Sequence, residues 1–412
     1  MLTRLIKIVS CLVFAQLILL CGHEANALNG IQLMANTAVS RSVGGAGVAR
    51  PMDSAAIIIN PAGMNQVGRY FDLNLTIGFP DNTMDSSAAP AGNAVSAGAK
   101  SQDEGVFLPS LGIITTLLDD RLALGIGTYF AGGFGVDYSV SRLTNAVTAD
   151  AYDRSGHYAL IKLIPAVSYQ LLDNLSVGLA LHINYSFLHS DSATTAAGFP
   201  ETNGASRFDP ALGVGAHVGL IYRPTQWMSL GADYVTRQYF EKFDRYTDLL
   251  IDSLDMPMQV TGGVAFDPFK NQEFIILGDF RWINWGGVGT LGNSVTTGGF
   301  GWRDQYIFCG GVQYDFMQRV KLPLEASLGY NYGRSPIPSS SVFTNLLIPA
   351  ISQHNLTGGL GYALSERVKL SGTYSYLFKS TVTDDGSVNP LAAGATMSSS
   401  AHVIALQMGL GL

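Results

Sequence analysis

The chain has 412 residues, of which 13% are charged and 47 are glycine, with a net charge of −7. A soluble globular protein carries about 25% charged residues. The low charge, together with a mean hydropathy of +0.22, therefore points to a membrane. The mild acidity and the lack of any basic run argue against a nucleic-acid partner. Beyond the first few dozen residues no apolar run reaches the roughly 18 residues that a spanning helix needs. A closed β-barrel is then the remaining way to cross lipid, because a bilayer offers unpaired backbone groups no partner.

The first element is an export address. Arg4 and Lys7 precede an apolar core from Ile8 to Leu20, and Ala25-Asn26-Ala27 reads as an A-x-A cleavage site. Residues 1–27 are expected to be a signal peptide cut after Ala27. Cys11 and Cys21 leave with it, so only Cys309 stays in the mature chain. That rules out an internal disulfide and a cysteine-rich metal site, and no metal or cofactor is expected.

Residues 28–66 come next. They are rich in small residues and do not alternate as the later segments do. About 40 residues cannot form an independent core without a staple. They can instead fill the lumen of a barrel wide enough to leak, as a hatch. Within them, Ile57-Ile58-Ile59 runs straight into Asn60-Pro61-Ala62-Gly63. Asn-Pro followed by glycine is strong turn chemistry, in which Asn60 supplies side-chain hydrogen bonds and Pro61 stiffens the backbone.

From about residue 67 the chain alternates with period two. In 174–188, Leu175, Val177, Leu179, Leu181 and Ile183 share one face, opposite Ser176, Ala180, His182, Asn184 and Ser186. About 14 such segments start near Tyr70, Val106, Arg121, His157, Asn174, Asp209, Trp227, Met256, Glu273, Asp304, Leu322, Gln353, Arg367 and Ser399. Their apolar faces hold for ten residues or more and often end in aromatics, the apolar-out, polar-in pattern of barrel strands with an aromatic girdle. Trp282, Trp285, Tyr374, Tyr376 and Phe378 are expected in that girdle. Short links such as "LDDR" and "LSER" alternate with long ones, as tight periplasmic turns alternate with long external loops. The expected fold is an all-β, antiparallel transmembrane β-barrel of about 14 strands over 67–412, with an N-terminal lumenal hatch over 28–66.

These residues resemble a known family. "SVGGAGVA" (Ser42 to Ala49), Asp53-Ser54-Ala55 and Asn60-Pro61-Ala62-Gly63-Met64 look like the hatch of the FadL-type transporters of the Gram-negative outer membrane, with its Asn-Pro-Ala motif. "YFAGGFGVDY" (Tyr129 to Tyr138) resembles the family's glycine-rich third strand, with Ala131-Gly132-Gly133 where many relatives carry Pro-Phe-Gly. The resemblance implies a passive importer of long-chain fatty acids, alkanes or aromatic hydrocarbons, sited in the outer membrane and working as a monomer amid its lipid. In such a protein an apolar ligand enters a lumenal pocket, the hatch moves, and a kink in the third strand opens the wall sideways. Gly132, Gly133, Phe134 and Gly135 are the kink candidates, since glycine in a strand marks bends and bulges.

A ligand carboxylate would need a cation, and Arg154, Arg237, Lys242, Arg334 and Lys379 lie near external strand ends. The alternative is that they are solvated charges at the headgroup level. A neutral pocket would favour hydrocarbons and a buried cation would favour fatty acids. A Ser-His enzyme around His182, Ser186 and His189 is not expected, because a polar lumen face holds such residues ordinarily. Two other readings remain: a general diffusion porin, against which the plug argues, and a structural surface barrel whose loops carry the function.

Overall fold

In the computed structural model, the described residues are 29–85, 88, 99–102, 105–138, 143–144, 151–152, 154–192, 208–247 and 249–412. The expected signal peptide lies outside them. Fourteen long strands form the wall. They are β1 (Tyr70–Asp85), β2 (Val106–Leu117), β3 (Leu122–Asp137), β4 (Arg154–Leu172), β5 (Leu175–Ser192), β6 (Asp209–Thr225) and β7 (Met228–Val235), followed by β8 (Gln259–Phe266), β9 (Phe274–Ile283), β10 (Gln305–Asp315), β11 (Leu324–Gly333), β12 (His354–Ala363), β13 (Val368–Thr383) and β14 (Thr396–Gly411). Each pairs antiparallel with the next, and β1 closes the ring on β14 from Tyr70↔Gly411 to Asp85↔Thr396. Closure leaves no edge strand with unpaired backbone groups.

The pleat sorts side chains as lipid demands. Along β6, Leu212, Val214, Val218, Leu220 and Tyr222 point outward and are exposed, while Ala211, His217 and Ile221 point inward and are buried. Along β5, Leu179, Leu181 and Ile183 face out, opposite buried Ser176, His182, Asn184 and Ser186. Tyr374 and Phe378 are exposed on the outer surface, as a girdle requires. Trp285 is not. It is fully buried inside, its ring 5.1 Å from that of Trp302. Trp285 has the parity of the inward residues Leu277, Asp279 and Ile283 of β9, so the alternation already pointed it inward and only its aromatic character suggested the girdle.

Residues 29–67 occupy the lumen. Helix α1 (Ala38–Ser42) starts in a capping box, in which Thr37 and Ser40 exchange backbone and side-chain hydrogen bonds. Inward polar side chains of the wall then hold its backbone. Asn74 accepts from Ala38 N at 2.7 Å, Gln407 accepts from Val39 N at 3.1 Å, and Thr373 donates to Ala38 O at 2.7 Å. On the opposite wall, Asp279 accepts from the backbone of Gly47 and Val48 at 2.7 and 3.0 Å. The segment is too short to satisfy its own backbone groups, and the barrel supplies the partners.

Candidate functional site

The turn motif sits where hatch and wall meet most closely. The Ile run forms α2 (Ala56–Ile59), which ends at Asn60, and Pro61–Gly63 is a single 3-10 turn before α3 (Met64–Val67). Asn60 is fully buried and caps this turn, accepting from Ala62 N at 3.1 Å. Its side-chain amide donates to Val48 O at 2.7 Å and to Leu220 O of β6 at 3.1 Å. One side chain thus joins two hatch segments to the wall. Pro61 takes the first helical position, where its missing N–H costs nothing. The wall is cut away to receive it: a Cβ on Gly178 would lie 2.3 Å from Pro61 C and Ala62 N. Ile57 packs into the wall against Met64, Ile114, Tyr129 and Ile164, whereas Ile58 and Ile59 are only half buried.

The second feature is a break in β3. Phe130 pairs with Ile161 and Gly132 with Leu160, so Ala131 is an extra residue, a β-bulge. The irregularity therefore falls immediately before the glycine pair. The hatch binds the bulge from inside. Leu33 N donates to Ala131 O at 3.0 Å, Gly133 N to Ile31 O at 2.8 Å, and Asn36 Nδ2 to Phe130 O at 2.7 Å. Gly132 has to be glycine for this approach, because a Cβ there would sit 2.3 Å from Ile31 O. Phe134 turns inward and stacks on Tyr158 at 5.9 Å, while Gly135 pairs regularly with His157.

The wall loosens at the same level. The β2–β3 ladder runs from Leu117↔Leu122 to Ser110↔Tyr129 and stops, although β3 continues to Asp137 against β4. Contact on that side resumes where Gln102 N donates to Asp137 O at 2.8 Å. Behind the window Leu33, Val106, Leu108, Phe130 and Ile161 form a small apolar cluster.

Two chambers flank the strip of hatch that holds the bulge. The upper one, at the long-loop end, is lined by wall residues Phe134 and Leu188, by Ile31, and by loop residues such as Leu250, Leu291 and Phe343. It encloses about 860 Å³, its mouth included, and no Lys, Arg, Asp or Glu lines it among the described residues. The lower one encloses about 570 Å³ on the same measure and is polar, with Gln32, Lys162, His182, Asp233, Gln259 and Arg281 around it. Ile31 lines the upper chamber and its neighbour Gln32 the lower, so this stretch of the hatch stands between them.

None of the five cations named from the sequence lines either chamber among the described residues. Arg237 is bound to Asp255 at 3.3 Å and to the Gly287 carbonyl, and Lys242 to Asp252 at 3.0 Å. Arg334 and Lys379 are exposed. Arg154 begins β4, and its side chain is outside the described set. The cations that line the lower chamber among the described residues are Lys162 and Arg281, which that reading missed. A signal for Lys162 was present: it is the lone charge in "YALIKLIPAV", at the same parity as the inward-facing Leu160 and Ile164. The His182 ring contacts Gln238 at 3.4 Å and lies edge-on to His217 at 5.5 Å, while Ser186 donates to the Ala211 backbone. No Ser–His pair is assembled from these residues.

The sequence signature of the family described as outer membrane protein transport protein (OMPP1/FadL/TodX) matches residues 20–250. The chain belongs to that family. Its barrel therefore sits in the outer membrane. The fold is similar to the toluene transporter TodX of Pseudomonas putida, with a TM-score of 0.69 at 18% identity, covering 92% of this chain and 99% of that one. The toluene transporter TbuX of Ralstonia pickettii gives 0.66 at 20% identity, covering 92% and 99%. A FadL homologue of Pseudomonas aeruginosa gives 0.68 at 15%, covering 93% and 99%. No curated protein sequence matches the chain.

Proposed function

We propose that this transport protein of the outer membrane is a passive importer of hydrophobic compounds, taking its ligand into the upper chamber and releasing it sideways through the wall beside the β3 bulge. The observation that carries this reading is the upper chamber itself. A cavity lined by aliphatic and aromatic side chains, with polar side chains among the described residues from His189, Ser190 and Thr344, suits an apolar ligand body. The relatives with similar folds are transporters of toluene or FadL homologues, which agrees with that choice.

The hatch motif Asn60, Pro61, Ala62 and Gly63 acts as a latch in this scheme. It fixes the lower hatch to β5 and β6, while Ile31 to Leu33 form the movable partition. Displacing the partition frees Ala131 O and Gly133 N and opens the window between β2 and β3. A plugged lumen argues against a general diffusion porin. The test is equilibrium binding of labelled oleate and labelled toluene to the detergent-purified full chain. Saturable binding of either supports the importer. If neither saturates and planar bilayers show large steady currents, the importer reading is replaced by the porin.

A further inference from the structure

Two histidines on the lipid-facing side of the wall are held in the same way. His402 of β14 lies directly opposite Tyr376 of β13, their rings 5.0 Å apart, and its Nδ1 shares a 2.6 Å hydrogen bond with the Tyr374 hydroxyl. His354 of β12 lies opposite Tyr332 of β11, their rings 4.9 Å apart, and its Nδ1 is bonded to the Tyr330 hydroxyl. Both imidazoles are exposed. With the hydroxyl donating to Nδ1, the ring proton sits on Nε2, which is left facing outward as a donor. An aromatic girdle needs rings at this position, not a pair of oriented imidazole donors.

The level at which they sit is set by the strands themselves. Below the histidines the outer face is aliphatic, with Leu356, Ile404 and Leu406 exposed. Above them the same face carries Ser400 and Ser398 on β14 and Asp81 and Thr83 on β1. The apolar band therefore ends here, at the height of the outer head groups. Two cations are added at this height. Arg334, just past the end of β11, continues the outward parity of Tyr330 and Tyr332 and is exposed. Lys379 is delivered by a β-bulge: Leu377 pairs with Ala401 and Ser380 with Ser399, so Phe378 and Lys379 both turn outward, where strict alternation would send Lys379 into the lumen. Neither cation has a hydrogen bond or ion pair among the described residues. Arg237 and Lys242 are by contrast bound to Asp255 and Asp252, and Asp81 is bound to Lys100 at 3.0 Å. Asn355 pairs with Leu377, so Phe378 lies beside His354 and the two histidine clasps form one row across β11 to β14.

We propose that this row is a docking surface for the phosphorylated glycolipid of the outer leaflet, whose acyl chains lie on the aliphatic face of β12 to β14 while His354, His402, Arg334 and Lys379 meet its phosphates. Unpaired cations and imidazole donors complement an anionic head group, and arginine and lysine bind phosphate through charge-assisted hydrogen bonds. Cations gathered at the head-group level of a membrane protein are a mark of lipid recognition. The surface lies outside the wall and does not depend on what the lumen carries.

The test titrates the detergent-purified full chain with bisphosphorylated lipid A, with the same lipid dephosphorylated and with phosphatidylglycerol, and counts bound lipid by native mass spectrometry. Wild type is expected to bind the bisphosphorylated form most tightly. Arg334→Gln and Lys379→Gln should each weaken that binding roughly fivefold. His354→Phe combined with His402→Phe keeps the rings of the girdle and removes the two donors, and should cost roughly tenfold. If that double variant lacks the heat-modifiable band of a folded barrel, the two cation variants decide. Lys270→Gln, in a short link at the opposite end of the barrel, should change nothing. Equal binding of the dephosphorylated lipid, or unchanged binding in the variants, overturns the docking surface. An equal loss in Lys270→Gln overturns it in favour of general charge attraction, and equal binding of phosphatidylglycerol overturns the choice of a glycolipid.

Discussion

The two chambers share a partition and differ in every other respect. The upper one is walled largely by loop residues between β7 and β8, β9 and β10, and β11 and β12, and is apolar nearly throughout. The lower one is walled by the hatch and by inward residues of β4, β5, β7, β8 and β9, and is polar. The contrast follows from what each part of the chain must do. Some strand residues facing the lumen have to bond the backbone of a hatch that lacks secondary structure enough to bond itself, and those that do include Asn74, Gln407, Thr373 and Asp279. Loop residues carry no such duty and can be given over to an apolar surface. Capture of a hydrophobic compound and retention of the plug are therefore assigned to different segments, and meet only at Ile31 and Gln32.

The contrast breaks most sharply if charge is put where it is absent. Leu188 is a wall residue, 4% exposed, facing the upper chamber. Leu188→Asp places an unpaired carboxylate against an apolar ligand, and toluene affinity is expected to fall roughly a hundredfold. Isothermal titration checks it, and near-wild-type affinity would show that ligand does not occupy the upper chamber.

Next in size is loss of the latch. Asn60→Ala removes the donor to the buried Val48 and Leu220 carbonyls. Leaving those acceptors dry costs about 2 kcal/mol, or roughly thirtyfold in the fraction of open hatch. Planar-bilayer recording should show many more transient openings, while barrel assembly persists because the wall ladder is untouched. A record as quiet as wild type would remove Asn60 from the latch.

Gly132→Val should be milder. Its Cβ would press on Ile31 O, and a shift of the partition to relieve the clash costs about 1–3 kcal/mol. Uptake of labelled toluene by cells expressing the variant is expected to change by roughly tenfold, with the barrel folded. Unaltered uptake would mean that the partition does not govern passage.

These expectations depend on parts of the molecule that differ in how plainly the sequence shows them. The wall was legible because lipid exposes every second residue. The expected start at Tyr70 is the start of β1, and those at Val106 and Asp209 coincide with β2 and β6. The hatch motif was legible because Asn-Pro-Ala-Gly has one local geometry. The chambers were not. Leu250, Leu291 and Phe343 come from three separate loops, and no short-range periodicity says that they converge. The cations drew attention at strand ends, where Arg237 and Lys242 turn out to be neutralised by loop acids Asp255 and Asp252. Lys162 sits in an apolar stretch whose alternation reads as wall, and only closure of the ring turns its inward parity into a position on the lower chamber. Trp285 was misplaced because its aromatic character was read as a girdle, although it shares the parity of the buried Asp279 and Ile283.

The smallest expected effect concerns the hatch's own acid. Asp53 is 1% exposed, and burial pushes its carboxyl above the ordinary aspartate range, against hydrogen bonds from Thr37, Gln407 and the Ala55 backbone that act the other way. When the hatch shifts and Asp53 meets water, the carboxyl returns towards its ordinary value. The docked hatch consequently holds the proton more tightly than the displaced one. Docking is strengthened as pH falls through the raised value and weakened as pH rises above it. Transient bilayer currents should therefore be a few-fold rarer at pH 5 than at pH 8. Asp53→Asn, which cannot titrate, should weaken this pH dependence, to which the neighbouring buried carboxyl of Asp72, bonded to Ser54 of the hatch, also contributes. A variant that keeps the pH dependence undiminished would assign it to another group and leave Asp53 a purely structural acceptor for Gln407 and Ala55.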